Sequence, residues 1–418
     1  MTVFRIKGGK PLEGSVRISG SKNALLPVMA ASILIDSALV LENVPDLKDM
    51  RTMCELLKFM GAEVDFKENK LFIDARDIKR TEAPYEIVKQ MRASVLALGA
   101  LIGKYGKARV SLPGGCAIGV RPIDQHIMGL KKLGADIEVK DGYIEAKCSK
   151  LKGNEINFDI VSVTGTENIL LAAVLSDGMS VIDNSAMEPE VDDLINFLNL
   201  AGARIERDGR RLKVFPVTSL KCERYSIIPD RIEAGTYLVA GAATRGRVEV
   251  KGVIPGHLTA ILNKLEESGA RVRVNADSVS IEGYRIKPVE IVTAPYPGFP
   301  TDMQAQFMAM LSIAEGTSVI RETIFENRFL HAAELMRMGA DIKVRESVAV
   351  INGVKELYGA HVMATDLRAS ASLVIAGLIA KGETVVSRIY HLERGYERME
   401  EKLSSLGAEI ERERSEGL

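Results

Sequence analysis

The sequence predicts an α/β protein of two domains built from six copies of one unit, and three patterns support this. Six amphipathic segments end in Gly-Ala and run into a charged, β-branched stretch: LLKFMGAEVDF, LKKLGADIEV, FLNLAGARIER, KLEESGARVRV, ELMRMGADIKV and KLSSLGAEIER. Their glycines, Gly61, Gly134, Gly202, Gly269, Gly339 and Gly407, recur about every 70 residues. About 20 residues ahead of each glycine lies a strand that opens after glycine or a small residue: SALVLENV, KARVSLPG, GMSVIDNS, GRVEVKGV, GTSVIRET and GETVVSRI. In each copy a further strand leads into a second helix, such as SVLALGALIG, NILLAAVL, TYLVAGAA or ASLVIAGLIA, which is rich in small apolar residues and predicts burial.

Each element follows from its residues. Glycine just past an amphipathic helix takes positive φ without a steric penalty, so every Gly-Ala marks a helix stop. After most of the strands that follow comes a hairpin, and Asp141-Gly142 and Asp208-Gly209 are type I′ signals. The last copy stops at EIERERSEGL, whereas the chain opens with FRIKGG and SVRISG, the strands that copy lacks. The termini are therefore expected to complete one module. On that basis three modules fall in residues 21–229, which carry the Cys116 loop, and three in residues 1–20 plus 230–418, with the functional cleft shared between the two domains. The chain would cross near Gly20 to Lys22 and again near Asp230.

Composition removes several function classes. At 418 residues, with 46% hydrophobic and 27% charged content, the chain buries ample core and exceeds one ordinary domain. Its 55 basic and 56 acidic side chains nearly cancel, so no bulk field favours nucleic acid or an anionic membrane. The start has no apolar leader core, and no apolar run approaches the roughly 18 residues needed to span a bilayer, which predicts a cytoplasmic protein without membrane insertion. Cys54, Cys116, Cys148 and Cys222 are far apart and form no CxxC, so neither a zinc site nor a disulfide framework is expected. HExxH and GxxxxGK[ST] motifs are absent and GGCAIG is no dinucleotide fingerprint; no metal and no cofactor is expected.

The candidate chemistry lies in loops. Those entering the six buried helices are GSKNALLP, KQMRASVL, VTGTENIL, PDRIEAGTY, PTDMQAQF and TDLRASASL. Helix N-termini favour anions, and Lys22, Arg92 and Arg368 add charge at three of them, though such cations are also commonly solvated or paired with neighbouring acids. In LPGGCAIGVRPIDQHI, Cys116 sits in a glycine-rich loop, with Arg121, Asp124 and His126 opening the next helix. A loop thiol near cations can act as nucleophile or acid, or be inert. Cys54, Cys148 and Cys222 are expected to be inert, and Thr301-Asp302 before an apolar helix reads equally well as an N-cap.

Over nearly its whole length the chain resembles the enolpyruvyl transferases, in the branch whose acceptor is UDP-N-acetylglucosamine. The resemblance rests on GSKNALLP, MRAS, LPGGCAIGVRPIDQHI, PDRIEAGTYLVA, FPTDMQAQF, TIFENRF, VMATDLRASASLV and IYHLERGYER. It implies an inverse α/β barrel of two domains. It also implies addition of the sugar 3-hydroxyl to phosphoenolpyruvate, then elimination of phosphate from a tetrahedral ketal, committing sugar nucleotide to bacterial peptidoglycan and so to cell shape and division. Lys22, Arg92, Arg121, Arg368 and Arg394 correspond to cations that hold phosphate and carboxylate. Cys116 corresponds to the loop cysteine that donates a proton, forms an adduct with phosphoenolpyruvate and is the target of fosfomycin, and Asp302 to the base for the sugar hydroxyl. Asn23, Arg121, Pro122, Ile123, Asp124, Gln125, Ser162, Val163 and Ile324 fall where relatives bind the nucleotide sugar, with Glu188, Glu233, Asp366 and His391 in adjoining matched segments. Ile160 stands where many relatives have lysine, and Thr164 where glycine is common, so one cationic contact to the diphosphate is missing or supplied elsewhere. The competing readings are a transferase acting on shikimate 3-phosphate and a non-catalytic sugar-nucleotide-binding paralogue. An RNA-end-processing relative would need a basic stripe and stacking aromatics, which the chain lacks.

Overall fold

Six four-stranded sheets occur in the computed structural model, which describes residues 2–112 and 123–414, and all six share one order. A short outer strand runs parallel to a central strand, followed by two antiparallel strands, which a hairpin joins in five sheets and which in the sixth are Thr2–Lys7 and Glu409–Arg414. In one of them Glu82–Ala83 lies parallel to Lys107–Ser111, which pairs antiparallel with Tyr143–Lys147, itself paired with Asp136–Lys140. The helix Leu96–Tyr105, apolar as far as Gly103, makes the parallel crossover, and the amphipathic helix Asp124–Lys132 leads into the hairpin. All six Gly-Ala glycines take positive φ, between 91° at Gly134 and Gly407 and 117° at Gly61, as a helix stop requires.

The two hairpins differ. Asp141 and Gly142 both have positive φ (51° and 78°), the I′ pattern. In the other, Asp208 pairs with Arg211, so Gly209 and Arg210 are the central residues and only Gly209 has positive φ (54°). The expected I′ turn is there replaced by the II′ pattern, in which glycine occupies the first central position.

The chain divides into a split unit, residues 2–19 and 229–414, and an inserted unit, residues 20–112 and 123–228. Each holds three of the sheets and has its own apolar core. Three buried helices form the centre of each: Lys22–Ala31, Leu96–Tyr105 and Val163–Ala173 in the inserted unit, and Arg231–Ala243, Gln304–Leu311 and Leu367–Ile379 in the split unit. Small residues permit their approach. A Cβ on Gly99 would stand 2.1 Å from the Asn168 carbonyl oxygen. No helix among the described residues is long and apolar enough to cross a membrane.

The N-terminal strands have separate destinations. Thr2–Lys7 lies between Glu383–Ser387 and Glu409–Arg414, antiparallel to both, and supplies the last copy with its missing strand. The second strand, Glu13–Arg17, does not join that copy as expected; it is the outer strand parallel to Arg247–Lys251. Arg224–Ser226 likewise lies parallel to Leu39–Glu42. The reason is connectivity. Where the chain enters a unit, the buried helix follows directly, and the outer strand must come from the segment that leaves that unit.

Because Phe4 is fully buried and its strand is paired on both edges, Phe4→Ala is expected to cost about 3–5 kcal/mol, and Phe4→Leu much less. Urea unfolding midpoints of the two variants check this.

Candidate active site

Three aspartates stand at the starts of the three buried helices of the split unit, and only one is withheld from capping. Asp230 accepts from the backbone N–H groups of Ile232 (2.8 Å) and Glu233 (3.0 Å), and Asp366 from those of Arg368 (2.8 Å) and Ala369 (3.0 Å). Asp302 lies instead in a single 3₁₀ turn, Thr301–Met303, and the helix behind it has no side-chain cap. The cap reading of Thr301-Asp302 is thereby overturned.

The Asp302 carboxylate accepts from two guanidiniums: Arg328 Nη2 donates to Oδ1 at 2.7 Å and Arg368 Nη2 to Oδ2 at 2.8 Å. Both arginine side chains are 4% exposed, whereas Asp302 keeps 27% of its side chain open. Burial alone would raise this carboxyl, but Arg368 and Arg328 outweigh it and hold it well below the usual carboxylate range. Arg328 Nη1 and Arg368 Nε and Nη1 are buried and find no acceptor among the described residues. Buried guanidinium N–H groups without acceptors are costly, and an oxyanion would satisfy them with strong charge-assisted bonds.

A polar layer fixes Arg368 from behind. Its guanidinium carbon lies 5.4 Å from the centre of the Tyr396 ring. The Tyr396 hydroxyl pairs with Thr236 Oγ1 (2.9 Å) and accepts from Gln306 Nε2 (3.2 Å), which also donates to Thr236 Oγ1 (3.1 Å). His331 is buried with Nε2 unpartnered among the described residues, and burial, opposed by Asp366 and helped by Arg328, lowers its pKa and keeps it neutral. Arg394 ends the 3₁₀ helix Ile389–Arg394, half-buried, and the His391 ring stacks on Tyr390 with centroids 4.3 Å apart. Arg328 was not singled out in the sequence; its only signal was a place in TIFENRF.

In the inserted unit, Lys22 opens its helix behind the Ser21 cap and reaches Asp49 at 3.4 Å, with Asn23 beside it half-buried. Arg92 begins the 3₁₀ turn Arg92–Val95 and is half-buried. Ser162 caps the helix that Val163 begins, accepting from Gly165 N–H at 3.1 Å. Gln125 Oε1 accepts from Asp159 N–H at 3.1 Å, which ties the helix after Ile123 and Asp124 to the segment leading to Ser162. Ile160 is 57% exposed. Glu188 precedes its helix without capping it, and Glu233 is buried, accepting from Lys402 Nζ at 2.6 Å. Cys116, Arg121 and Pro122 lie outside the described residues. Burial pushes the Cys54 thiol up to about 11 and raises those of Cys148 and Cys222, which makes all three poor nucleophiles.

A family model described as EPSP synthase (3-phosphoshikimate 1-carboxyvinyltransferase) matches residues 6–403. A Coxiella burnetii protein named UDP-N-acetylglucosamine 1-carboxyvinyltransferase is 57% identical over 412 residues, covering 97% of this chain and 95% of the relative. One of the same name from Desulforapulum autotrophicum is 54% identical over 415 residues, covering 99% and 100%. Among solved structures, the enolpyruvyl transferase NikO from Streptomyces tendae superposes with a TM-score of 0.89 at 27% identity, covering 98% of both chains. EPSP synthase from Acinetobacter baumannii, at 18% identity over 99% and 100% of the two chains, has a TM-score of 0.77 and shares the fold.

His126 yields a prediction about acid. It is buried, with Nδ1 2.8 Å from Asn168 Nδ2 and Nε2 3.3 Å from Thr164 Oγ1. Burial, helped by Arg92 and opposed by Asp124, lowers its pKa to about 4. Below an unfolded pKa of about 6.5 the unfolded chain takes up the proton first, so stability is full above that pH and declines down to about 4. Wild type is expected to lose on the order of 1–2 kcal/mol through this group between pH 7 and pH 5. The His126→Asn variant should show a correspondingly flatter dependence in urea unfolding; an unchanged slope would refute the assignment.

Proposed function

The chain belongs to the EPSP synthase family of enolpyruvyl transferases, and from that premise we propose that it transfers the enolpyruvyl group of phosphoenolpyruvate to the 3-hydroxyl of UDP-N-acetylglucosamine. Phosphate is released, and the product enters peptidoglycan precursor synthesis in the cytoplasm. The observation that carries the chemistry is Asp302 shared between Arg328 and Arg368, three of whose buried guanidinium nitrogens lack acceptors among the described residues. The acceptor assignment rests on full-length relatives that carry its name.

Asp302 takes the proton of the sugar hydroxyl as its oxygen attacks C2 of phosphoenolpyruvate, and Cys116 delivers a proton to C3. The resulting ketal then loses phosphate from C2 and a proton from C3, which restores the double bond. Lys22, Arg92, Arg121, Arg368 and Arg394 hold the phosphate and carboxylate of the donor. Asn23, Arg121, Pro122, Ile123, Asp124, Gln125, Ser162, Val163 and Ile324, with Asp302, bind the nucleotide sugar. Asp302 is ionised but weakly basic while two guanidiniums lean on it. A donor anion that engages their remaining N–H groups offsets part of that positive field, so Asp302 becomes a stronger base when phosphoenolpyruvate is bound.

Phosphate release with UDP-N-acetylglucosamine and none with shikimate 3-phosphate is the expected result; the reverse would overturn the acceptor, and binding of both ligands without release would point to a non-catalytic protein. Asp302→Asn is expected to lower kcat by roughly 10²–10⁴-fold. Cys116→Ser should abolish the covalent adduct with phosphoenolpyruvate, seen as a mass increment on the peptide containing residue 116, and labelling retained elsewhere would refute its role.

A further inference from the structure

Glu322 is a buried carboxylate that the transfer chemistry does not use. It follows the strand Thr317–Arg321, is 2% exposed, and among the described residues every donor that reaches it is neutral. Its Oε1 accepts from Thr293 Oγ1 (2.8 Å) and from the backbone N–H groups of Ile324 (2.8 Å) and Phe325 (3.3 Å). Its Oε2 accepts from Thr301 Oγ1 at 2.8 Å. Burying a carboxylate away from water is expensive, and four neutral donors offset the cost without any counter-charge.

The two chain segments joined in this way form the Asp302–Arg328 contact. Thr301 immediately precedes Asp302 in the 3₁₀ turn. On the other side, Ile324 and Phe325 begin the loop to Arg328, whose guanidinium carbon lies 5.1 Å from the centre of the Phe325 ring. Thr293 closes the arrangement: its Oγ1 accepts from Thr323 N–H at 2.9 Å, and its own N–H donates to the Arg321 carbonyl at 3.0 Å. We propose that Glu322 is a positioning residue for enolpyruvyl transfer, one carboxylate that sets Asp302 against Arg328 and aims the Ile324 backbone. The proposal rests on the reading of Asp302 as the base. Loosening the tie would let Arg328 draw back from Asp302, whose basicity would then return toward that of an ordinary carboxylate.

The test compares Glu322→Gln, Thr301→Val, Thr301→Ser and Asp302→Asn in the full chain by steady-state phosphate release, pH–rate profile and urea unfolding. Glu322→Gln and Thr301→Val are each expected to lower kcat by roughly 10- to 100-fold and to move the acid limb of the profile to higher pH. Thr301→Ser, which keeps the hydroxyl, should restore both, and the double variant should be little worse than either single one. Thr301→Val preserves the test if Glu322→Gln fails to fold. An unmoved acid limb with only a lowered unfolding midpoint would overturn the proposal, as would additive losses in the double variant. If Asp302→Asn turns over like wild type, the assignment of the base fails; if Asp302→Asn is inactive while Glu322→Gln and Thr301→Val behave as wild type, the positioning role alone fails.

Discussion

Three helix starts come together in the split unit, and their combined partial positive charge is the constraint to which the rest of that unit responds. Gln306 in the first turn of one helix donates to Thr236 of another, and Asp302 ahead of the second receives Arg368 from the first turn of the third. Helix N-termini gathered in this way repel one another electrostatically. Burial of the apolar helices holds them together, and three aspartates answer their charge. Two of these cap their own helices. Asp302 does not, because a 3₁₀ turn carries it ahead of the helix start, and its carboxylate is left to the arginines. The same geometry that attracts a carboxylate suits a phosphate, which is why the neighbouring guanidinium donors, unclaimed among the described residues, are chemically significant.

The inserted unit applies the same scaffold differently. Its helices also meet closely, with Gly99 against Asn168, but a neutral hub replaces the ionic one. Asn168 Oδ1 accepts from Gly99 N–H at 2.6 Å, while its Nδ2 donates to Val95 O and meets His126. One side chain thereby locks three helical segments, and the imidazole stays uncharged because desolvation outweighs Asp124. Repetition of a backbone thus leaves freedom in what fills its centre.

The features most legible in the sequence were those enforced by local backbone geometry. A helix stop that requires positive φ restricts the residue almost to glycine, so Gly61, Gly134 and the other four stood out without alignment. A further strand leading into each buried helix was expected, but the places of outer strands such as Glu82–Ala83 and Glu155–Asn157 were illegible, since two or three residues carry no periodicity. At the site, Pro-Asp230, Thr-Asp302 and Thr-Asp366 present nearly the same signature, and only tertiary placement distinguishes the carboxylate that is not a cap. Arg328 and Glu322 flank a polar loop, where a charged residue ordinarily faces water. Their burial depends on segments at 293 and 301–302, which no local pattern reveals.

The interlaced strand at the N-terminus has a consequence for how the molecule is made. Residues 2–7 are synthesised long before both of their strand neighbours, 383–387 and 409–414. The inserted unit closes its own sheets once Arg224–Ser226 has been synthesised. From that point until residues 383–387 are made, therefore, one unit can stand folded while Val3, Phe4 and Ile6 remain an unpaired apolar edge. That strand cannot be covered on both edges until residues 409–414 have been made, so its exposure in the nascent chain lasts through synthesis of both units.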